Sequence, residues 1–205
     1  MAAEPKKRGT WGGRRPGAGA KPLTPEKRLE RRLREAGIDP ADAGDPVAAM
    51  AERIGLSPRG AALRPDLADR FEVVPPGEHL DRFARTFCRY TQLGEVAPDG
   101  PRLGDPYALE AFERDFFDEA LSCDATGRRL HRRAGLVIAR KNRKTTSAAV
   151  LALYMASPAD AEHRPYVVQG AGTLDQAGKL YETTRAFVDD PLYGSDDLRR
   201  LFLPM

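Results

Sequence analysis

The chain has 205 residues, with 33 Lys and Arg against 30 Asp and Glu, 41% hydrophobic residues and two cysteines. That length and composition suit one globular domain with appendages and exclude a chain disordered throughout. No apolar run reaches the ~18 residues of a membrane span, no apolar leader follows Met1, and Cys88 and Cys123 fit neither a disulfide scaffold nor a Cys-based zinc site.

The charge is unevenly placed. Residues 1–36 hold 11 basic and four acidic residues, a net +7, whereas residues 37–205 sum to −4. Residues 1–23 are rich in Gly and Pro, so ordering them costs backbone entropy and buries little. They read as a disordered basic arm carrying one aromatic, Trp11. Lys6, Lys7, Arg8, Arg14, Arg15 and Lys21 are expected to touch DNA phosphates; the alternative is a solubilising tail. Thr24 and Pro25 open a helix that ends at Gly37. Asp45-Pro46 opens a second, closed by Gly55, and residues 56–77 read as a linker, so 24–77 is a helical region with a linker.

From Glu78 to the end, 78–205, the pattern is denser. Leu80, Phe83, Phe87 and Tyr90 fall at helical spacing, as do Leu109, Phe112, Phe116 and Ala120. AGLVIA (134–139) and PYVVQGA (165–171) are apolar, β-branched runs that read as buried strands. The Ala/Leu-rich helix after the first and TLDQAGKLYETTRAFVDD after the second complete a βαβα unit. Leu174, Ala177, Leu180, Thr184 and Phe187 are expected to face inward. The fold class is therefore expected to be α/β, a parallel sheet of P-loop type preceded by helices and the arm.

Chemistry is expected in the loop Arg140-Lys141-Asn142-Arg143-Lys144-Thr145-Thr146, between strand and helix. Backbone N–H groups and the dipole at a helix start hold phosphate oxygens, a Lys reaches the outer phosphates, and a following hydroxyl ligates Mg²⁺. Lys144 and Thr145 fill the last two roles. Ala139 and Arg143 stand where a P-loop has glycine, and a basic loop without a ligand is the alternative. Asp189 and Asp190 read as helix-end surface acids. His79, His131 and His163 all read as surface residues. Arg128, Arg129, Arg132 and Arg133 form a basic cluster that could meet phosphates or stay solvated.

The segment LVIARKNRKTTSAAVLALYM resembles the ATPase motif of tailed-phage terminase large subunits, where Arg-Lys-Asn-Gly-Lys-Ser/Thr joins an apolar strand to an Ala/Leu helix. Arg140, Lys141, Asn142, Lys144 and Thr145 match, and Arg143 replaces the family's Gly. Asp175-Gln176-Ala177 matches a step in the family's next helix. Leu109 and Phe112 match the segment ahead of its core, with Glu113 where a Gln meets adenine. The resemblance implies a DNA-packaging ATPase with ATP and Mg²⁺ as cofactors. Lys144 becomes the catalytic residue, Thr145 the metal ligand, and residues 140–146 with Phe112 the nucleotide site. Double-stranded DNA, the portal and the small terminase subunit become partners, a ring homo-oligomer the assembly, and the bacterial host cytoplasm the location. No second acidic metal motif or nuclease cluster is legible, so an N-terminal fragment of a large subunit is expected. The alternative is a non-enzymatic DNA-binding or packaging-assembly factor.

Overall fold

The structure, a computed structural model, describes residues 44–91, 100–139, 142–161 and 165–202. These belong to one unit, residues 44–205. The basic arm with its six expected DNA contacts, the helix from Thr24, Arg140, Lys141 and His163 lie outside the described residues.

The first helix, α1 (Pro46–Ile54), starts where the sequence places it. The Asp45 side chain accepts from the amides of Val47 and Ala48, Pro46 opens the first turn, and Gly55 at φ 82 closes the last. The segment 56–77, expected as a linker, is folded. It carries α2 (Pro58–Leu63) and α3 (Pro65–Ala68), each with a proline in its first turn, and Ser57 caps α2 through the Gly60 amide. Leu56 and Leu67 close a small apolar cluster with Ala51. The prolines that suggested a linker start helices instead.

The next helix, α4 (Pro76–Phe87), buries Leu80, Phe83, Ala84 and Phe87. Pro75 offers no side-chain cap, and Asp118 of α5 (Ala111–Ala120) supplies one by accepting from the Gly77 amide at 2.7 Å. In return Asp81 of α4 accepts from the Leu109 amide at 2.8 Å. The two helices therefore cap and clamp each other. They close tightly at Gly77, where a Cβ would lie 2.2 Å from the Arg114 carbonyl oxygen. Gly77→Ala is expected to cost about 1–3 kcal/mol by forcing α4 and α5 apart. A denaturant midpoint equal to wild type would contradict that.

The chain continues through α6 (Lys144–Ala156), a 3₁₀ turn (Pro158–Asp160), α7 (Leu174–Asp189) and α8 (Asp196–Phe202). α6 packs against α7, and its Ala149, Val150, Leu153 and Tyr154 enter the same core as α4. Tyr154 meets Phe83 edge-on at 5.5 Å between ring centroids, and Phe187 of α7 meets Tyr107 at 5.9 Å.

The expected parallel sheet is not there. The described residues contain only isolated β-bridges, at Leu56–Val73, Arg89–Pro106 and Cys123–Arg129, and no strand. Residues 134–139 and 165–171 run without regular structure and face solvent; Val137 is 97% exposed. A buried strand needs partners on its edges and layers on both faces. Here α6 uses its apolar face on α7 and on α4, and neither run has a sheet to enter. The fold class is therefore helical among the described residues, not α/β.

Two expected faces are also rotated or shortened. On α5 the inward residues are Glu113 and Phe117, whereas Phe112 is 44% exposed and Phe116 half-buried. On α7 burial grows toward the C-terminus: Leu174 is exposed, Leu180 is partly buried against the core, and Phe187 and Val188 are buried.

Candidate anion site at the start of α6

Arg143 is the N-cap of α6 and sits in the left-handed region, at φ 53 and ψ 17. It is one of two described non-glycine residues with positive φ, a conformation that costs a side chain on the order of 1 kcal/mol. Neighbours hold it there. Nη1 donates to the Tyr90 hydroxyl at 2.6 Å, Nη2 is ion-paired with Glu110, and the guanidinium lies 5.6 Å from the centre of the Tyr107 ring. Tyr90 follows α4, and Tyr107 and Glu110 precede α5.

One turn further along α6, Ser147 is buried and donates to the Glu113 carboxylate. Tyr107 reaches the same hydroxyl at 3.2 Å. The second Glu113 oxygen accepts from the Glu110 amide at 2.8 Å and forms a capping box. Two rungs therefore join the helices: Arg143 to Glu110, and Ser147 to Glu113. Residues four apart on α6 meet residues three apart on α5, so both rungs lie on facing surfaces.

Between the rungs, no side chain caps α6, and no acidic residue occupies its first turn. The amides that open a helix have no acceptor within it, and its dipole makes that end positive. Lys144 is exposed, and Nζ donates to the carbonyls of Ile138 and Ala139 at 2.6 and 2.7 Å. Asn142 and Thr145 are exposed, and Thr146 is half-buried. The structure thus brings Asn142, Arg143, Lys144, Thr145 and Thr146 to one helix start, in agreement with their adjacency in sequence. Phe112 lies on α5 with its ring partly open to solvent.

Glu113 is not free to meet a base, because Ser147 and the Glu110 amide take its oxygens. A magnesium site fares poorly on the same ground. Among the described residues no group of three His, Cys, Asp or Glu is placed to hold a metal. Mg²⁺ favours carboxylate, water and phosphate oxygens. Near Thr145 the carboxylates of Glu110 and Glu113 are already engaged, so these residues do not make a metal site on their own.

The other acids and bases sort clearly. Asp189 pairs with Arg185 and Arg199 at the end of α7, and the Asp190 side chain accepts from the amides of Leu192 and Tyr193. Both are helix-end groups. His131 is on the surface against Glu119. His79, expected at the surface, is fully buried. Arg129, placed with Arg128, Arg132 and Arg133 in a basic cluster that could meet phosphates or stay solvated, turns inward to pair with buried Asp160, whereas the other three are exposed. No acidic residue occurs between Asp124 and Asp160, a stretch with eight Lys and Arg.

The sequence reading missed Tyr90, Tyr107, Glu110 and Ser147 as supports of the loop. The Glu110-x-x-Glu113 spacing was a usable signal, since it is a capping pattern at the start of α5. No family model, no curated protein and no solved structure matches this chain. No helix among the described residues is long and apolar enough to cross a membrane.

Proposed function

We propose that the start of α6 receives the phosphates of a nucleoside triphosphate, and that the chain serves a DNA-packaging ATPase of the large-terminase kind. The observation that carries the reading is the left-handed turn at Arg143, which leads into a 13-residue helix with no side-chain cap and with Lys144 at its first position. Anions favour such an end through unpaired amides and the helix dipole. In this reading Lys144 leaves the Ile138 and Ala139 carbonyls to meet the outer phosphates. Asn142, Thr145 and Thr146 flank them, and Mg²⁺ arrives with the nucleotide. By the resemblance of residues 78–205, the partners are double-stranded DNA, a portal and a small terminase subunit in the host cytoplasm.

The part of that ATPase proposed for these residues is nucleotide binding and not the hydrolytic step, because Glu110 and Glu113 are committed to Arg143 and Ser147. The alternative, a DNA-binding assembly factor that needs no nucleotide, is favoured by the acid-free stretch and by exposed Arg128, Arg132 and Arg133. Calorimetric titration with MgATP separates the two. Measurable affinity that Lys144→Ala weakens roughly ten- to hundredfold is expected. Equal affinity in both proteins removes Lys144 from the phosphates. No nucleotide binding, together with salt-sensitive duplex binding, favours the assembly factor.

A further inference from the structure

Arg143 stands where a P-loop, and the terminase motif this loop resembles, has glycine, and its charge suggests a phosphate ligand. Its surroundings point elsewhere. The guanidinium is used by the Tyr90 hydroxyl, the Glu110 carboxylate and the face of Tyr107. All three partners lie in the connection from α4 to α5, with Glu110 as the N-cap of α5. We propose that Arg143 is a tether rather than a phosphate ligand. Tyr90, Tyr107 and Glu110 are positioning residues that act through it to hold the left-handed turn and so aim the first amides of α6.

Three observations support this. The first is the cost of the backbone. A left-handed arginine persists only where its neighbours over-determine it, and here a cation-π contact, an ion pair and a hydrogen bond do so. The second is the pairing of rungs. Arg143–Glu110 and Ser147–Glu113 fix two successive turns of one α6 face, so the first turn cannot swing without breaking both. The third is the division of labour. Lys144 is exposed, and among the described residues its hydrogen bonds go to loop carbonyls, whereas Arg143 is docked on the connection between α4 and α5. Two adjacent cations thus have separate tasks: one fixes the turn and the other is available to an anion.

The proposal rests on the nucleotide reading for its consequence but not for its geometry, and the test treats the two apart. Tyr90→Phe and Glu110→Gln are made in the wild type and again with Arg143→Gly. Amide exchange at Ser147 by NMR, with no ligand present, reports the turn, because its N–H donates to the Arg143 carbonyl at 3.0 Å. Each change is expected to speed that exchange about three- to tenfold in the wild type and not at all beside Arg143→Gly. Exchange unchanged in both backgrounds overturns the tether.

The same proteins are then titrated with MgATP and MgADP. A tether predicts similar losses for the two nucleotides on Tyr90→Phe, and none beside Arg143→Gly. A phosphate ligand predicts the opposite sign, since Tyr90→Phe frees the guanidinium and tightens ATP more than ADP; that result overturns the proposal. If no nucleotide binds while the exchange effect holds, the nucleotide reading fails and the tether stands.

Discussion

Asp160→Ala is expected to destabilise the protein by about 3–5 kcal/mol, the cost of leaving a charge buried without its partner. Asp160 is fully buried in the 3₁₀ turn after α6. One carboxylate oxygen accepts from Ser57 at 3.0 Å, and the other is paired with Arg129 and lies 3.8 Å from Arg59. Arg129 also donates to the Leu121 carbonyl, and Arg59 to that of Gly127 at 2.8 Å. One aspartate therefore ties the start of α2, the end of α6 and the 121–129 turn. Burial raises its pKa above the usual carboxylate value, and the Arg129 guanidinium opposes the shift. Against a typical total of 5–15 kcal/mol, such a loss is large. A denaturant midpoint within about 1 kcal/mol of wild type would show that this network carries little of the stability. Replacing Asp160 and Arg129 together by Leu and Met is expected to cost less than Asp160→Ala alone, because no charge is then left unpaired.

The second large effect is acid instability from His79. A carbonyl can only accept, so Nε2, 3.1 Å from the Gly55 oxygen, carries the proton. Nδ1 then accepts from the Tyr154 hydroxyl at 2.8 Å. Tyr154 has one proton, so its 3.3 Å approach to Asp160 is not a second donated bond in the neutral state. Burial lowers the imidazole pKa to about 4, with Arg82 adding to the shift and the Gly55 bond opposing it.

The unfolded chain, with an ordinary pKa near 6.5, binds this proton first as pH falls. Stability due to His79 is thus fully present above pH ~6.5 and declines toward pH ~4, by about 3 kcal/mol in all. Asp45, Asp66 and Glu72, held below the usual carboxylate range by Arg64 and Arg82, act only at lower pH. Asp160, whose pKa burial raises, takes up its proton more readily in the folded state and so opposes the fall, which leaves His79 as the source of the loss between pH ~6.5 and ~4.5. Denaturant midpoints across that range should flatten in His79→Gln; an unchanged slope in the variant would place the titrating group elsewhere.

Helix boundaries were the legible part of the fold. Asp45, Pro46 and Gly55 mark α1 by local chemistry, and the spacing of Leu80, Phe83 and Phe87 marks α4. These signals lie within a few residues of what they specify. The sheet misreading has the opposite origin. AGLVIA and PYVVQGA look like buried strands because apolar runs need cover, but pairing is a distant relation that a run does not encode by itself. His79 was misjudged from its polar neighbours Glu78 and Asp81. Its spacing of four and eight residues to Phe83 and Phe87 put it on the buried face all along. Phe112 was assigned inward by its spacing to Phe116, yet α5 presents Glu113 and Phe117 to the core, with Glu113 held there by Ser147 and the Glu110 amide. The loop 142–146 was legible as a helix start without a side-chain cap, because a Lys-Thr pair opening a helix is local chemistry. Its supports were not, since Tyr90 and Glu110 lie far from Arg143 in sequence.

The most direct test is amide chemical-shift mapping of the full chain as MgATP is added. Shifts that concentrate on residues 142–147, saturate together and vanish in Lys144→Ala are expected. Shifts confined to the 128–133 arginines, or none at saturating nucleotide, would contradict phosphate binding at the start of α6.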